Sequence, residues 1–154
     1  MVTLRNMKAE EFTGYCEYFI HDYAQEIAAN FGHTLEQSLT IALKELQEDL
    51  PQDVATPEHT LLCIEEDNVL IGYLWYKLLE QGESIFILDF VVFEKFRSMG
   101  YGTAALTALE EYIAKSGAKQ LKLRVAYKNK RALVLYEKLG FNITGYNMAK
   151  ILKK

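Results

Sequence analysis

The sequence predicts a three-layer α/β domain, a mixed central sheet with helices packed on both faces. Three observations lead there. Strand-like and helix-like periodicities follow one another in the order β-α-α-β-β-β-α-β-α-β. Within that order, residues 60–93 hold three strand-like runs joined by tight turns, and such neighbours pair antiparallel. Residues 85–125 then read strand, helix, strand, a unit that pairs in parallel through a right-handed crossover.

Each element has its own local reason. Residues 2–5 form the first strand. Residues 8–30 are helical, because Phe12, Cys16, Phe19, Tyr23 and Ile27 recur at helical spacing, and Phe31, Gly32 and His33 end the run. Thr34 caps a second helix over residues 35–50, with Gln37 placed as the third helical residue of a capping box. Pro51 and Pro57 bracket a loop. Residues 60–65 and 69–79 are strands joined at Asp67 and Asn68, and a turn at Gln81, Gly82 and Glu83 leads into the strand of residues 84–93. An Ala- and Leu-rich helix over residues 103–116 stops at Gly117. In residues 119–125, Leu121, Leu123 and Val125 alternate with Lys122 and Arg124, as in a half-buried strand. Asn129 caps a short helix reaching residue 139, closed by Gly140. Residues 142–152 read as a final strand or bent pair, interrupted at Gly145.

At 154 residues, half of them apolar, the chain is expected to be one domain with a real core. Cys16 and Cys63 are too few for a disulfide framework. No basic and apolar leader opens the sequence, and the longest apolar run contains Asp89 and is about half a membrane span. A cytoplasmic protein without membrane attachment is expected. The three histidines are scattered and show no metal-ligand spacing, so no metal is expected.

The net charge of −4 hides a strong asymmetry. Residues 1–94 carry 4 Lys/Arg against 18 Asp/Glu, hence −14, and residues 95–154 carry 13 against 3, hence +10. The basic half suits an anionic ligand and the acidic half a cationic one. Nucleic acid is not expected, since a basic patch with its own recognition motif is missing.

The segment Arg97, Ser98, Met99, Gly100, Tyr101, Gly102 stands between the apolar run of residues 85–93 and the helix that follows. The first N–H groups of a helix lack internal partners and carry partial positive charge. Glycines let a ligand's phosphates approach that backbone closely, so the loop suits a pyrophosphate. A dinucleotide fold would use the same loop, as Gly100-x-Gly102-x-x-Ala105 fits its fingerprint. It fails on context, because the loop comes late and Arg124 stands where the acidic ribose ligand would be.

Downstream lie Asn129, Ala132, Leu135, Tyr136, Gly140 and Phe141, spaced Asn-x-x-Ala-x-x-Leu-Tyr-x-x-x-Gly-Phe. With both elements present, residues 60–152 resemble the GNAT superfamily of acyl-CoA-dependent N-acetyltransferases, in its small single-domain bacterial form. The resemblance implies a GNAT-like fold whose cofactor strand splays from its neighbour. It implies residues 60–154 as the acetyl-CoA-binding core and residues 1–59 as acceptor-side helices. It implies that backbone amides of Arg97, Ser98, Met99, Gly100, Tyr101, Gly102 and Thr103 hold the pyrophosphate of acetyl-CoA. Phe90, Val91 and Val92 would pair with the pantetheine arm, Asn129 would contact it, and Tyr136 would protonate the departing thiolate. The implied reaction is acetyl transfer to a primary amine of a small molecule or peptide, by direct attack in a ternary complex.

Local chemistry agrees on Tyr136, since a hydroxyl donor stabilises a leaving thiolate. Lys95, Arg97, Lys128, Lys130 and Arg131 add positive field around the phosphates. For the general base, family members often use a Glu near the centre of the strand before the loop. Here Asp89 is the candidate, as a lone carboxylate in an apolar run, with His21, Asp22, Glu58 and His59 behind it. The acidic half favours a cationic acceptor, and a homodimer is compatible with the sequence. The competing reading is a non-catalytic acyl-CoA-binding or interaction module on the same fold.

Overall fold

The computed structural model describes residues 1–152. Five strands, β1 (Val2–Asn6), β2 (His59–Glu66), β3 (Val69–Leu79), β4 (Ser84–Val92) and β5 (Gln120–Leu123), form one sheet in the order β1-β2-β3-β4-β5. The first four are antiparallel neighbours and β4 pairs with β5 in parallel. The helices are α1 (Phe12–Phe31), α2 (Leu35–Asp49), α3 (Tyr101–Ala114) and α4 (Lys130–Lys138).

Local chemistry sets the boundaries. Thr34 and Gln37 form the reciprocal capping box: Gln37 N–H donates to Thr34 Oγ1 at 3.1 Å and Thr34 N–H to Gln37 Oε1 at 3.0 Å. Asp67 and Asn68 both take positive φ, the turn geometry whose twist matches a hairpin. Residues 8–11 are not part of α1; Ala9–Glu11 is a 3₁₀ turn in which the Glu11 carboxylate accepts from Lys8 N–H and binds Arg5. That pairing holds the Glu11 carboxyl down at about 2.

The sheet separates two cores, as a three-layer architecture requires. Leu62, Ile64, Leu74, Tyr76, Ile85 and Ile87 face α3 and α4, joined by Leu106, Leu109 and Tyr136. Leu61, Cys63, Tyr73, Trp75 and Val91 face α1 and α2, joined by Tyr15 and Leu46. Successive residues thus serve opposite faces, and each large apolar side chain so buried contributes roughly 1.5–3 kcal/mol.

The second half of β4 is open on one side and tightly held on the other. It pairs with β5 only through Ser84, Ile85, Phe86 and Ile87, so residues 88–92 have no strand on that side. Opposite, its register against β3 slips by one residue at Leu88, where Trp75 pairs with Asp89 but Tyr76 with Ile87. Beyond the slip β3 and β4 are tightly apposed. A Cβ on Gly72 would lie 2.0 Å from the Val91 carbonyl oxygen.

The final strand expected at residues 142–152 does not form. Phe141 still packs into the core, but Ile143, Tyr146, Met148, Ile151 and Leu152 are exposed. The alternation is real, yet a strand is a pairing, and this segment pairs with no strand of the described chain. β5 is likewise shorter than residues 119–125, because its one neighbour diverges after Ile87.

Gly72→Ala is expected to destabilise the protein by about 1–3 kcal/mol in urea denaturation, since β4 must shift outward to admit the methyl. A change below about 0.5 kcal/mol, the ordinary level for an uncritical surface position, would contradict the tight apposition.

Candidate active site

The divergence of β4 from β5 opens a groove of about 480 Å3. Phe90, Val91 and Val92 form one wall, the start of α3 closes one end, and Asn129, Ala132, Leu135 and Tyr136 of the α4 region form the other wall. Arg97, Ser98, Gly100, Tyr101, Gly102 and Thr103 line it, whereas Met99 is not on the lining and is 61% exposed. Gly100 is the N-cap of α3 and has φ +84, the left-handed conformation that glycine adopts without penalty. Ser98 also has positive φ (64), so the loop turns sharply where it lines the groove. Arg131 of α4 donates to Ser98 Oγ at 2.7 Å and ties the two walls at that end. Gly102 has a second role: a Cβ there would lie 3.2 Å from Leu135, so its bareness lets α4 close on α3.

Asn129 is first a helix cap, its side-chain oxygen accepting Ala132 N–H at 3.1 Å. Arg97 is exposed, but its side chain folds back on β4. Its Nε donates to the Val92 carbonyl at 2.8 Å, satisfying one acceptor on the unpaired edge of β4.

Tyr136 is buried except at the groove, and stacks edge-on against Phe141 at 5.6 Å. Its hydroxyl makes no hydrogen bond among the described residues, which leaves the donor free. Burial, with a contribution from the charge of Asp89, pushes its pKa up to about 12, so it keeps its proton at neutral pH.

Asp89 sits beneath the groove rather than on its lining. Tyr15, fully buried in α1, donates its hydroxyl to Asp89 Oδ2 at 2.8 Å. Burial raises the Asp89 carboxyl to about 7, the nearby Asp22 adds to the rise, and the Tyr15 hydrogen bond opposes it. A carboxyl titrating there exchanges protons near neutral pH. Tyr15 is the partner that sequence reasoning misses. Its signal is present: it falls on the buried face of α1, and a buried tyrosine hydroxyl needs a polar partner.

The other base candidates scatter. His59 accepts Trp75 Nε1–H on its Nδ1 at 2.9 Å, burial lowers its pKa, and neither it nor Glu58 lines the groove. His21 and Asp22 face a separate hollow on the outer side of α1, and Asp22 also reaches the groove.

A mixed sheet whose one parallel pair, β4 with β5, parts beside the N-terminus of α3, with Tyr136 opposite, is the layout that the resemblance to acyltransferases implies. Comparison with known proteins agrees. Residues 20–141 match the Acetyltransferase (GNAT) family. The chain is 32% identical to the N-acetyltransferase YycN of Bacillus subtilis, itself described as uncharacterised, over 98% of this chain and 99% of the relative. A second uncharacterised B. subtilis N-acetyltransferase, YdgE, is 28% identical over 97% and 98%. The crystal structure of YycN superposes with a TM-score of 0.92 at 30% identity over the whole of both chains. The N-acetyltransferase PaiA of Thermoplasma acidophilum, solved with coenzyme A, shares the fold at a TM-score of 0.73 and 16% identity, over 96% and 93% of the two chains. The chain therefore belongs to the GNAT acetyltransferase family. Among the described residues, no helix is long and apolar enough to cross a membrane.

The raised pKa of Asp89 has a thermodynamic signature. Its folded form holds a proton that the unfolded carboxyl has lost, so its contribution to stability falls as pH rises from about 4 to about 7 and then levels. Asp89→Asn keeps an acceptor for Tyr15 and removes the titration. The stability difference, variant minus native, should therefore grow across that window in urea melts. A constant difference would mean that Asp89 ionises at an ordinary pKa.

Proposed function

We propose that this protein transfers the acetyl group of acetyl-CoA to a primary amine by direct attack in a ternary complex. The observation that carries this reading is the groove itself, which runs from the amide-lined start of α3, along the unpaired half of β4, to a tyrosine with a free hydroxyl. The α3 amides, the left-handed Gly100 and the nearby Arg131 suit a diphosphate. The unpaired edge at residues 90–92 suits the amides of an extended pantetheine arm, which would take the place of the missing strand.

In the transfer, the amine nitrogen forms a bond to the thioester carbon and the carbon–sulfur bond breaks. Tyr136 donates its proton to the departing sulfur. The proton lost by the amine passes to Asp89 by relay, since Asp89 lies under the groove. A cationic acceptor fits the −14 of residues 1–94. A non-catalytic acyl-CoA-binding module is the competing reading, favoured by the seclusion of Asp89. Turnover of acetyl-CoA with a set of amines decides between them.

Acetyl-CoA at about 100 times its Kd should stabilise the native protein by roughly 2.7 kcal/mol, a rise of about 5–10 °C in Tm. Gly102→Asp should abolish that rise, through its clash with Leu135 and its charge beside the phosphates. A full rise in the variant would place the ligand elsewhere.

Tyr136→Phe keeps the ring and its packing but removes the donor. Its kcat should fall by about 10²–10⁴-fold with the KM for acetyl-CoA little changed. Full kcat, with chemistry rate-limiting, would rule Tyr136 out as the acid.

A further inference from the structure

Two cavities meet at the edge of α1. One is the groove along β4. The other, of about 560 Å3, is an open hollow on α1 itself, bounded by Glu17, Tyr18, His21 and Gln25. It is unobstructed at Gly14, where a Cβ would have no neighbour within 4 Å. The linings of the two cavities share one residue, Asp22. Asp22 therefore stands where a molecule lying along α1 would meet one lying along β4.

Glu17 also borders the hollow, but of the carboxylates nearby only Asp22 lines both cavities. Glu26, one turn on, is paired with Arg124 at 2.6 Å, and Glu45 accepts from the Tyr23 hydroxyl. Asp22 is accessible and has no hydrogen bond or ion pair among the described residues. Arg97 is the cation near it, but the Arg97 Nε is directed to the Val92 carbonyl. Partial burial and the charge of Glu26 raise the Asp22 carboxyl, and Arg97 only offsets this. Asp22 thus has Arg97 nearby but no ion pair among the described residues, and a ligand's ammonium can supply one.

We infer that Asp22 is the acceptor-binding carboxylate, holding the ammonium of a cationic amine in the α1 hollow and presenting it to the thioester end of the groove. The catalytic part of this inference rests on the acetyl-transfer reading; the binding part rests on the position of Asp22. One consequence couples the two acids. The charge of Asp22 helps keep Asp89 protonated. An ammonium seated on Asp22 cancels that field, so acceptor binding itself favours the proton-accepting form of Asp89.

The test titrates the CoA-saturated protein calorimetrically with three probes, lysinamide, glucosamine and diaminobutane, and follows acetylation of the same amines in parallel. At least one probe should bind the native protein. Asp22→Asn should weaken that binding by about tenfold or more, as expected for loss of a charge-assisted hydrogen bond. Asp22→Glu should restore most of it, and the Tm rise with CoA should be the same in all three proteins. No probe binding to the native protein, or equal binding to the Asn variant, overturns the assignment. Binding that depends on Asp22 without turnover upholds the assignment and refutes acetyl transfer to these amines. Turnover whose KM is indifferent to Asp22→Asn refutes the assignment and leaves acetyl transfer standing.

Discussion

After Ile87, β4 loses its neighbour. Up to that residue it is hydrogen-bonded on both sides, and beyond it only to β3. Unpaired backbone groups inside a protein are costly, so the outer edge of residues 88–92 must find other partners. Arg97 supplies one, at the Val92 carbonyl. The rest of the edge faces a groove rather than a strand. The same divergence separates α3 from α4 just enough for Tyr136 to reach the gap, with Gly102 setting how closely the helices meet. Beyond the slip at Leu88 the close approach at Gly72 keeps β4 on β3, the side away from the opening.

The electrostatics follow from the same geometry. Turning Asp89 toward α1 buries it in the aromatic core around Tyr15 and Tyr73, where its charged form is disfavoured. Tyr15 supplies one hydrogen bond, enough to keep the carboxyl ionisable near neutral pH but not enough to return it to an ordinary value. Tyr136, on the opposite wall, feels the same charge and holds its proton more tightly. The fold thus holds a groove-lining tyrosine that stays protonated and, off the lining, a buried carboxyl that titrates near neutral pH; the proposed mechanism uses this separation of pKa values.

Much of this was legible in the sequence because it depends on local chemistry. Thr34 with Gln37, Asp67 with Asn68, Gly100, Gly117 and Gly140 all do what their residue types require, and with hydrophobic periodicity they place every helix and five of the six expected strands. The groove-lining residues could be named through the resemblance to a known family, whose motifs fall on the strand β4, the loop after it and the short helix α4. What was not legible depends on contacts far apart in the chain. Tyr15 and Asp89 are separated by 74 positions, and nothing near either names the other. The position of Asp22 between two cavities is a property of how α1 lies across β4. The strand expected at residues 142–152 failed for the same reason: its alternation was readable, but whether another strand pairs with it was not.

The central claim is that the unpaired half of β4 takes an acyl-CoA as its missing neighbour. A crystal structure with acetyl-CoA tests it most directly. The account predicts the pyrophosphate on the amides at the start of α3, the pantetheine arm hydrogen-bonded to the backbone of residues 90–92, and the thioester sulfur within hydrogen-bond reach of the Tyr136 hydroxyl. A ligand bound off the β4 edge, or one whose thiol end points away from Tyr136, would contradict it.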